Sequence, residues 1–199
     1  METAAYLTTH TGPPSPKRDA IMAAALELFA ERGFHGTPVP LVAEKAGVGA
    51  GTIYRYFPSK EALVNALYQT WKSALGRRLL DGFPADAPVR EQFHAFWSRI
   101  AAFATENPKA FAFLELHHHA PYLDDRSRAI EMELLMSIAA FLEATTRKQV
   151  TKDLPPAVLI AIAYGAFLGV MKGHWTGHLP LTPEVLDAAE ACVWEAIRR

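Results

Sequence analysis

Apolar residues recur at spacings of three and four positions along almost the whole chain. Ile21, Ala24, Ala25, Leu28 and Phe29 fall at i, i+3, i+4, i+7 and i+8, which lines one face of a helix. Ser15 followed by Pro16 offers that helix a cap and a first position, and Gly33 stops it. A short second helix carries Val39, Val42, Ala43 and Ala46 and ends at Gly47. Pro38 and Pro40 open it, where amides are unpaired in any case. The segment Ala50 to Phe57 places Ile53 and Phe57 on one side, and Pro58 breaks it. Ser59 caps a fourth helix, with Glu61 at its positive dipole end and Leu63, Leu67, Tyr68 and Trp71 as apolar positions.

The stretch Asp81 to Pro88 holds one glycine and two prolines and reads as a linker. A fifth helix follows with Phe93, Phe96, Trp97, Ile100 and Ala104 on one stripe. Asn107-Pro108 ends it and opens a sixth, expected to reach about His119 before Pro121. A seventh is expected from about Asp125 to Arg147, with Leu134, Leu135, Ile138, Phe141 and Leu142 inward. Pro155-Pro156 opens an eighth, to about Trp175, and Thr182-Pro183 caps a ninth that reaches the C-terminus. No alternating strand or internal repeat interrupts the series. The expected fold is all-α: a flexible leader over 1–14, a small three-helix head over 15–62, and a helical bundle over 63–199.

With 199 residues, half of them hydrophobic, the chain can bury a core unaided. Its single cysteine, Cys192, excludes an internal disulfide framework and a four-cysteine zinc module. Twenty basic and 21 acidic residues give a net charge of -1, so global charge marks neither nucleic acid nor anionic membrane as a partner. Residues 1–16 hold neither Lys nor Arg and no apolar core run, unlike a secretory signal. The longest apolar run, Ala157 to Met171, has 15 residues and falls short of the roughly 20 needed to span a bilayer. A cytoplasmic protein with no membrane partner is expected.

The most specific pattern runs from Val42 to Phe57. A seven-residue helix, a Gly47 turn and a second short helix make a helix-turn-helix. Thr52, Tyr54, Arg55 and Tyr56 form the outer face of the second helix, suited to phosphates and base edges in a major groove. Residues 18–67 resemble the DNA-binding head of TetR/AcrR-type regulators. The likeness is carried by Ala46-Gly47-Val48-Gly49-Ala50-Gly51-Thr52-Ile53-Tyr54 followed by Tyr56-Phe57-Pro58-Ser59-Lys60-Glu61. The resemblance implies that Thr37, Gly51, Thr52, Tyr54, Arg55, Tyr56 and Lys60 meet DNA. Thr37 would offer its hydroxyl and backbone, and Lys60 its charge, to phosphate. Gly49 stands where the family has a Ser-type cap, and Ala50 where a basic or polar contact residue is frequent. The head gains no help from net charge, since residues 1–62 carry six basic and six acidic side chains.

The resemblance further implies a homodimer that binds a double-stranded operator and a small-molecule effector. Phe96, Trp97, Phe111, Glu115, Phe141, Tyr164 and Phe167 are the candidates for an effector pocket. Their aromatic richness suggests a small lipophilic or aromatic compound. Ala157, Ala161, Gly165, Gly169 and Gly173 recur every four residues, a ridge of small side chains that lets helices approach closely. Ala161, Gly165, Gly169 and Gly173 are assigned to the dimer interface, the alternative being close packing within one subunit.

A second class of function rests on histidines. Glu91 with His94 and Glu115 with His118 repeat the Glu-x-x-His spacing of di-iron bundle enzymes. Glu131, Glu133 and Glu143 are candidates for the further ligands. The other reading of His117, His118 and His119 is a partly exposed helix end, where histidine suits the negative dipole pole. No nucleophile-and-base constellation stands out. The reading adopted is a ligand-responsive DNA-binding repressor, not an enzyme, with no catalytic residues, no cofactor and no metal.

Overall fold

The computed structural model describes residues 15–117 and 119–199; the leader expected over 1–14 and His118 lie outside the described residues. The described chain is helical throughout, with one isolated antiparallel bridge between Thr151 and Arg198. The helices are α1 (Pro16–Arg32), α2 (Val39–Lys45), α3 (Ala50–Tyr56), α4 (Lys60–Leu80) and α5 (Val89–Glu106). They continue with α6 (Pro108–Leu116), a 3-10 turn (Ala120–Tyr122), α7 (Asp125–Arg147), α8 (Pro156–Trp175) and α9 (Pro183–Ile197).

Local signals explain most of the boundaries. The Gly33 amide bonds the Phe29 carbonyl at 2.9 Å with φ at +65°, a conformation that closes α1 and disfavours other residues. Phe57 precedes proline and is extended, which ends α3. Ser59 Oγ accepts the Ala62 amide at the start of α4, and Thr182 Oγ1 accepts the Val185 amide at the start of α9. Three expectations are corrected. Ser15 sits at the cap position of α1, but its hydroxyl makes no capping bond. The sixth helix stops at Leu116, short of His119. Leu135 is 41% exposed, because tertiary packing selects the neighbouring Leu134 and Leu142 as the buried stripe of α7.

Contacts divide the chain into two compact units. The first comprises the described residues up to Arg78 together with Ala102–Glu131. Its core is aromatic: Trp71 meets Phe103 edge-on at 6.4 Å, and Phe29 meets Phe113 at 6.3 Å, all four fully buried. The second comprises Leu79–Ala101 and Met132–Arg199. There Trp97 packs edge-on against Phe167 at 5.4 Å and donates its indole N–H to the Leu186 carbonyl. Within this unit Arg99 donates to the carbonyls of Leu79, Asp81 and Gly82, which satisfies backbone acceptors at the end of α4.

Candidate nucleic-acid interface

The helix-turn-helix is assembled on buried Leu28, Phe29, Val42 and Ile53. Gly47, at φ +65°, turns the chain between α2 and α3, and the Val48 amide reaches back to the Ala43 carbonyl at 3.0 Å. Gly49 is the cap residue of α3 and has no side chain to offer, a loss of a few tenths of a kcal/mol. Ile53 is the residue by which α3 is anchored; Gly51, Tyr54, Arg55 and Tyr56 are exposed and Thr52 is half-buried. Among the described residues nothing lies within 4 Å of where a Cβ on Gly51 would stand, so that stretch of surface is bare backbone.

The phenol of Tyr56 is held: its oxygen shares a hydrogen bond of 2.8 Å with Ser15 Oγ. The Ser15 hydroxyl therefore tethers the recognition helix instead of capping its own. Lys60 Nζ stands 4.2 Å from the centre of the Phe34 ring. Burial against that ring lowers its pKa from the ordinary lysine value, opposed by Glu61. Thr37 corrects the expectation for its hydroxyl. The residue is fully buried and its Oγ1 donates inward, 2.8 Å from the Gly33 carbonyl and 3.1 Å from that of Leu28. That hydroxyl secures the α1–α2 turn and is not presented to phosphate.

The same turn is gripped from the other side by the segment after α6. His117 Nε2 donates to the Ala30 carbonyl at 2.9 Å, at the negative end of α1. A Cβ on Gly33 would lie 3.1 Å from the His117 ring. The Tyr122 ring stacks on Phe34 at 3.9 Å, and its hydroxyl lies 2.8 Å from His35 Nε2. Asn65 donates to the Tyr122 carbonyl, and its Oδ1 accepts from the Asp124 amide and the Ser127 hydroxyl. Sequence reading missed Ser15, His117, Tyr122 and Asn65 as supports of the head. Their partners lie 41 to 87 residues away, beyond any local pattern.

The pocket candidates fall into both units. Phe111 and Glu115 belong to the first; Phe96, Trp97, Phe141, Tyr164 and Phe167 belong to the second. Phe96 and Phe141 meet at 5.2 Å, joined by Phe83 at 4.4 Å and 5.9 Å. Phe111 is interior and meets Phe103 edge-on. Glu115 is nine-tenths buried beside Lys72. On α8, Ala161, Gly165 and Gly169 are exposed, and among the described residues nothing lies within 4 Å of a Cβ on either of those two glycines. A Cβ on Gly173 would approach Leu179 at 3.2 Å. The α8 helix reaches 20 residues, longer than its 15-residue apolar run, but a match in length and composition alone, which core helices of soluble proteins also give, does not make it a membrane span.

Residues 21–67 match the family described as bacterial regulatory proteins, tetR family, and residues 68–199 match the Tetracyclin repressor-like C-terminal domain. The chain belongs to the TetR family. It is similar to an uncharacterised HTH-type transcriptional regulator of Haemophilus influenzae, 24% identical over 181 residues, 91% of this chain and 95% of that one. Over 53 residues it is 51% identical to the HTH-type transcriptional regulator RutR of Escherichia coli, covering 27% of this chain and 25% of RutR. A TetR family structure from Vibrio parahaemolyticus covers 92% of this chain and 99% of its own, with 29% identity and a TM-score of 0.72.

Membership of the TetR family makes this protein a helix-turn-helix transcriptional regulator. It also disfavours the di-iron reading, since TetR proteins are regulators. His94, from the first Glu-x-x-His pair, lies 2.9 Å from Glu190 Oε2, which also accepts from Arg90 through Oε1. The second pair includes His118, outside the described residues. Among the described residues no group of three His, Cys, Asp or Glu side chains is placed to hold an ion.

Proposed function

We propose that this TetR-family protein is a cytoplasmic homodimeric repressor that leaves a palindromic operator when a small lipophilic or aromatic effector binds. The outward face of α3 carries the reading. Gly51, Thr52, Tyr54, Arg55 and Tyr56 lie on a seven-residue helix anchored by Ile53, and Tyr54 leaves 53% of its surface open. In this reading residues 15–62 bind DNA and residues 63–199 take the effector and the partner subunit. Thr52 and Tyr54 read base edges, whereas Arg55, Tyr56 and Lys60 meet phosphates. Thr37 contributes through the turn it holds. Exposed Ala161, Gly165 and Gly169 supply a surface on which a second α8 can lie, and Gly173 extends the row. A two-fold dimer matches a two-fold DNA site.

The test is selection of bound duplexes from random DNA by the full chain, followed by a compound screen for release. A near-palindromic consensus, with two half-sites about one helical turn apart, is the expected result. Recovery of no common sequence refutes the operator reading. Failure of every compound to release selected DNA refutes the effector reading.

A further inference from the structure

A polar cluster lies inside the first unit, among α4, α6 and α7. Lys72 of α4 has its Nζ 3.6 Å from Glu115 Oε1 of α6 and 3.9 Å from Glu131 Oε1 of α7. The Lys72 and Glu115 side chains are 11% and 10% exposed, and Glu131 is 39% exposed. Neither carboxylate is within hydrogen-bond distance of the ammonium. Glu115 Oε1 has no exposed surface to speak of and, among the described residues, accepts no hydrogen bond. Tyr68 is buried beside them, and burial, followed by the charges of Glu131 and Glu115, raises its pKa, which keeps the phenol neutral.

Buried polar atoms in folded proteins nearly always have a partner, and leaving a charged acceptor without one is costly. One ammonium faces two carboxylates, so the three charged side chains sum to -1. An anionic ligand would meet two carboxylates beside the one cation that the described residues place in the cluster. A neutral donor would satisfy Glu115 Oε1 but leave the excess charge. A group that is both a donor and a cation satisfies both.

We propose that Tyr68, Lys72, Glu115 and Glu131 form the polar subsite of the effector, and that Glu115 Oε1 receives an N–H of its positively charged amine. This rests on the effector reading above and adds to it the ligand's charge. The amine donates to Glu115, Glu131 shares its charge, and Lys72 remains as the fixed counter-ion of the second carboxylate.

The test uses three probes of matched size, 2-phenylethylamine, 2-phenylethanol and phenylacetate, with calorimetry on the full chain. The amine is expected to bind about ten- to a hundredfold more tightly than the alcohol, the range of a charge-assisted hydrogen bond. Glu115→Gln should bring the amine-to-alcohol ratio to about one, and Glu115→Asp should restore part of it. Helicity and melting temperature show that each variant is folded; Tyr68→Phe, which removes one donor and no charge, should lower the ratio less. Tighter binding of phenylacetate overturns the proposal. So does equal binding or no binding of all three, or a ratio that survives Glu115→Gln. A neutral compound that releases DNA with no preference for amines leaves the effector reading standing and removes this one.

Discussion

Replacing Gly169 by Leu separates two kinds of packing that are otherwise hard to tell apart. Among the described residues nothing lies within 4 Å of a Cβ at this position, so the side chain enters open space. The helix itself gains, because Gly is about 0.8–1.0 kcal/mol less favourable than Ala in a helix interior and Leu is close to Ala. The isolated subunit should therefore be no less helical and slightly more stable. In a dimer built on the α8 ridge the outcome reverses. Overpacking costs about 1–3 kcal/mol per site, and a two-fold interface contains the site twice. A total of about 2–6 kcal/mol raises the dimer dissociation constant by roughly thirtyfold to twenty-thousandfold. Sedimentation equilibrium over a range of concentrations measures it, with circular dichroism as the check on folding. Affinity for a full operator should fall toward that for a half-site. A Gly169→Leu protein that remains dimeric at the wild-type concentration refutes the ridge as interface. One that loses helicity places the ridge inside the subunit.

The head and its supports offer further checks. Thr52→Ala or Tyr54→Ala should weaken specific binding by about 1–3 kcal/mol while changing nonspecific binding little, measured by competition with random duplex. Lys60→Ala should weaken both and reduce the slope of log affinity against log salt by about one unit; an unchanged slope removes its phosphate contact. Burial raises the pKa of Asp124, but the hydrogen bonds it accepts from the Ser127 amide and the Gln69 side chain outweigh it and leave the pKa lowered. Its contribution to stability is therefore present above the unfolded-state pKa and lost as pH falls through the lower folded-state value. Asp124→Asn should flatten the loss of melting temperature on the acid side of that range, and an unaltered acid limb counts against the contact.

The helices were legible because their apolar positions repeat at short range and because Gly33, Gly47, Pro58 and Thr182 act on their immediate neighbours. The outward face of α3 was legible for the same reason, since the helix is short and a single inward residue, Ile53, fixes which side turns out. Thr37 shows the limit. A hydroxyl at the start of a helix is suited to a phosphate or to a nearby carbonyl, and only the path of the α1–α2 turn decides between them. Ser15 repeats the lesson: the cap signature is local, but Tyr56 competes for the same hydroxyl from 41 residues away. Leu134 and Leu135 are adjacent and equally apolar, so composition does not choose which of them faces solvent. The Lys72–Glu115–Glu131 group joins three helices, and none of their separate patterns announces it.

The stitching of the α1–α2 turn to the segment after α6 bears on how this family's modules can be recombined. A hybrid joined at residue 62 would import a foreign turn beneath a native His117 and Tyr122. The stack on Phe34, the contact with His35 and the bond to the Ala30 carbonyl would then depend on whether the donor happens to supply matching residues. Gly33 is the least exchangeable of these, being constrained both by its own backbone and by the imidazole against it. Transplanting operator choice between relatives thus calls for moving Ala30 to His35 and His117 to Tyr122 as one inherited cassette, although more than eighty residues of chain separate its halves.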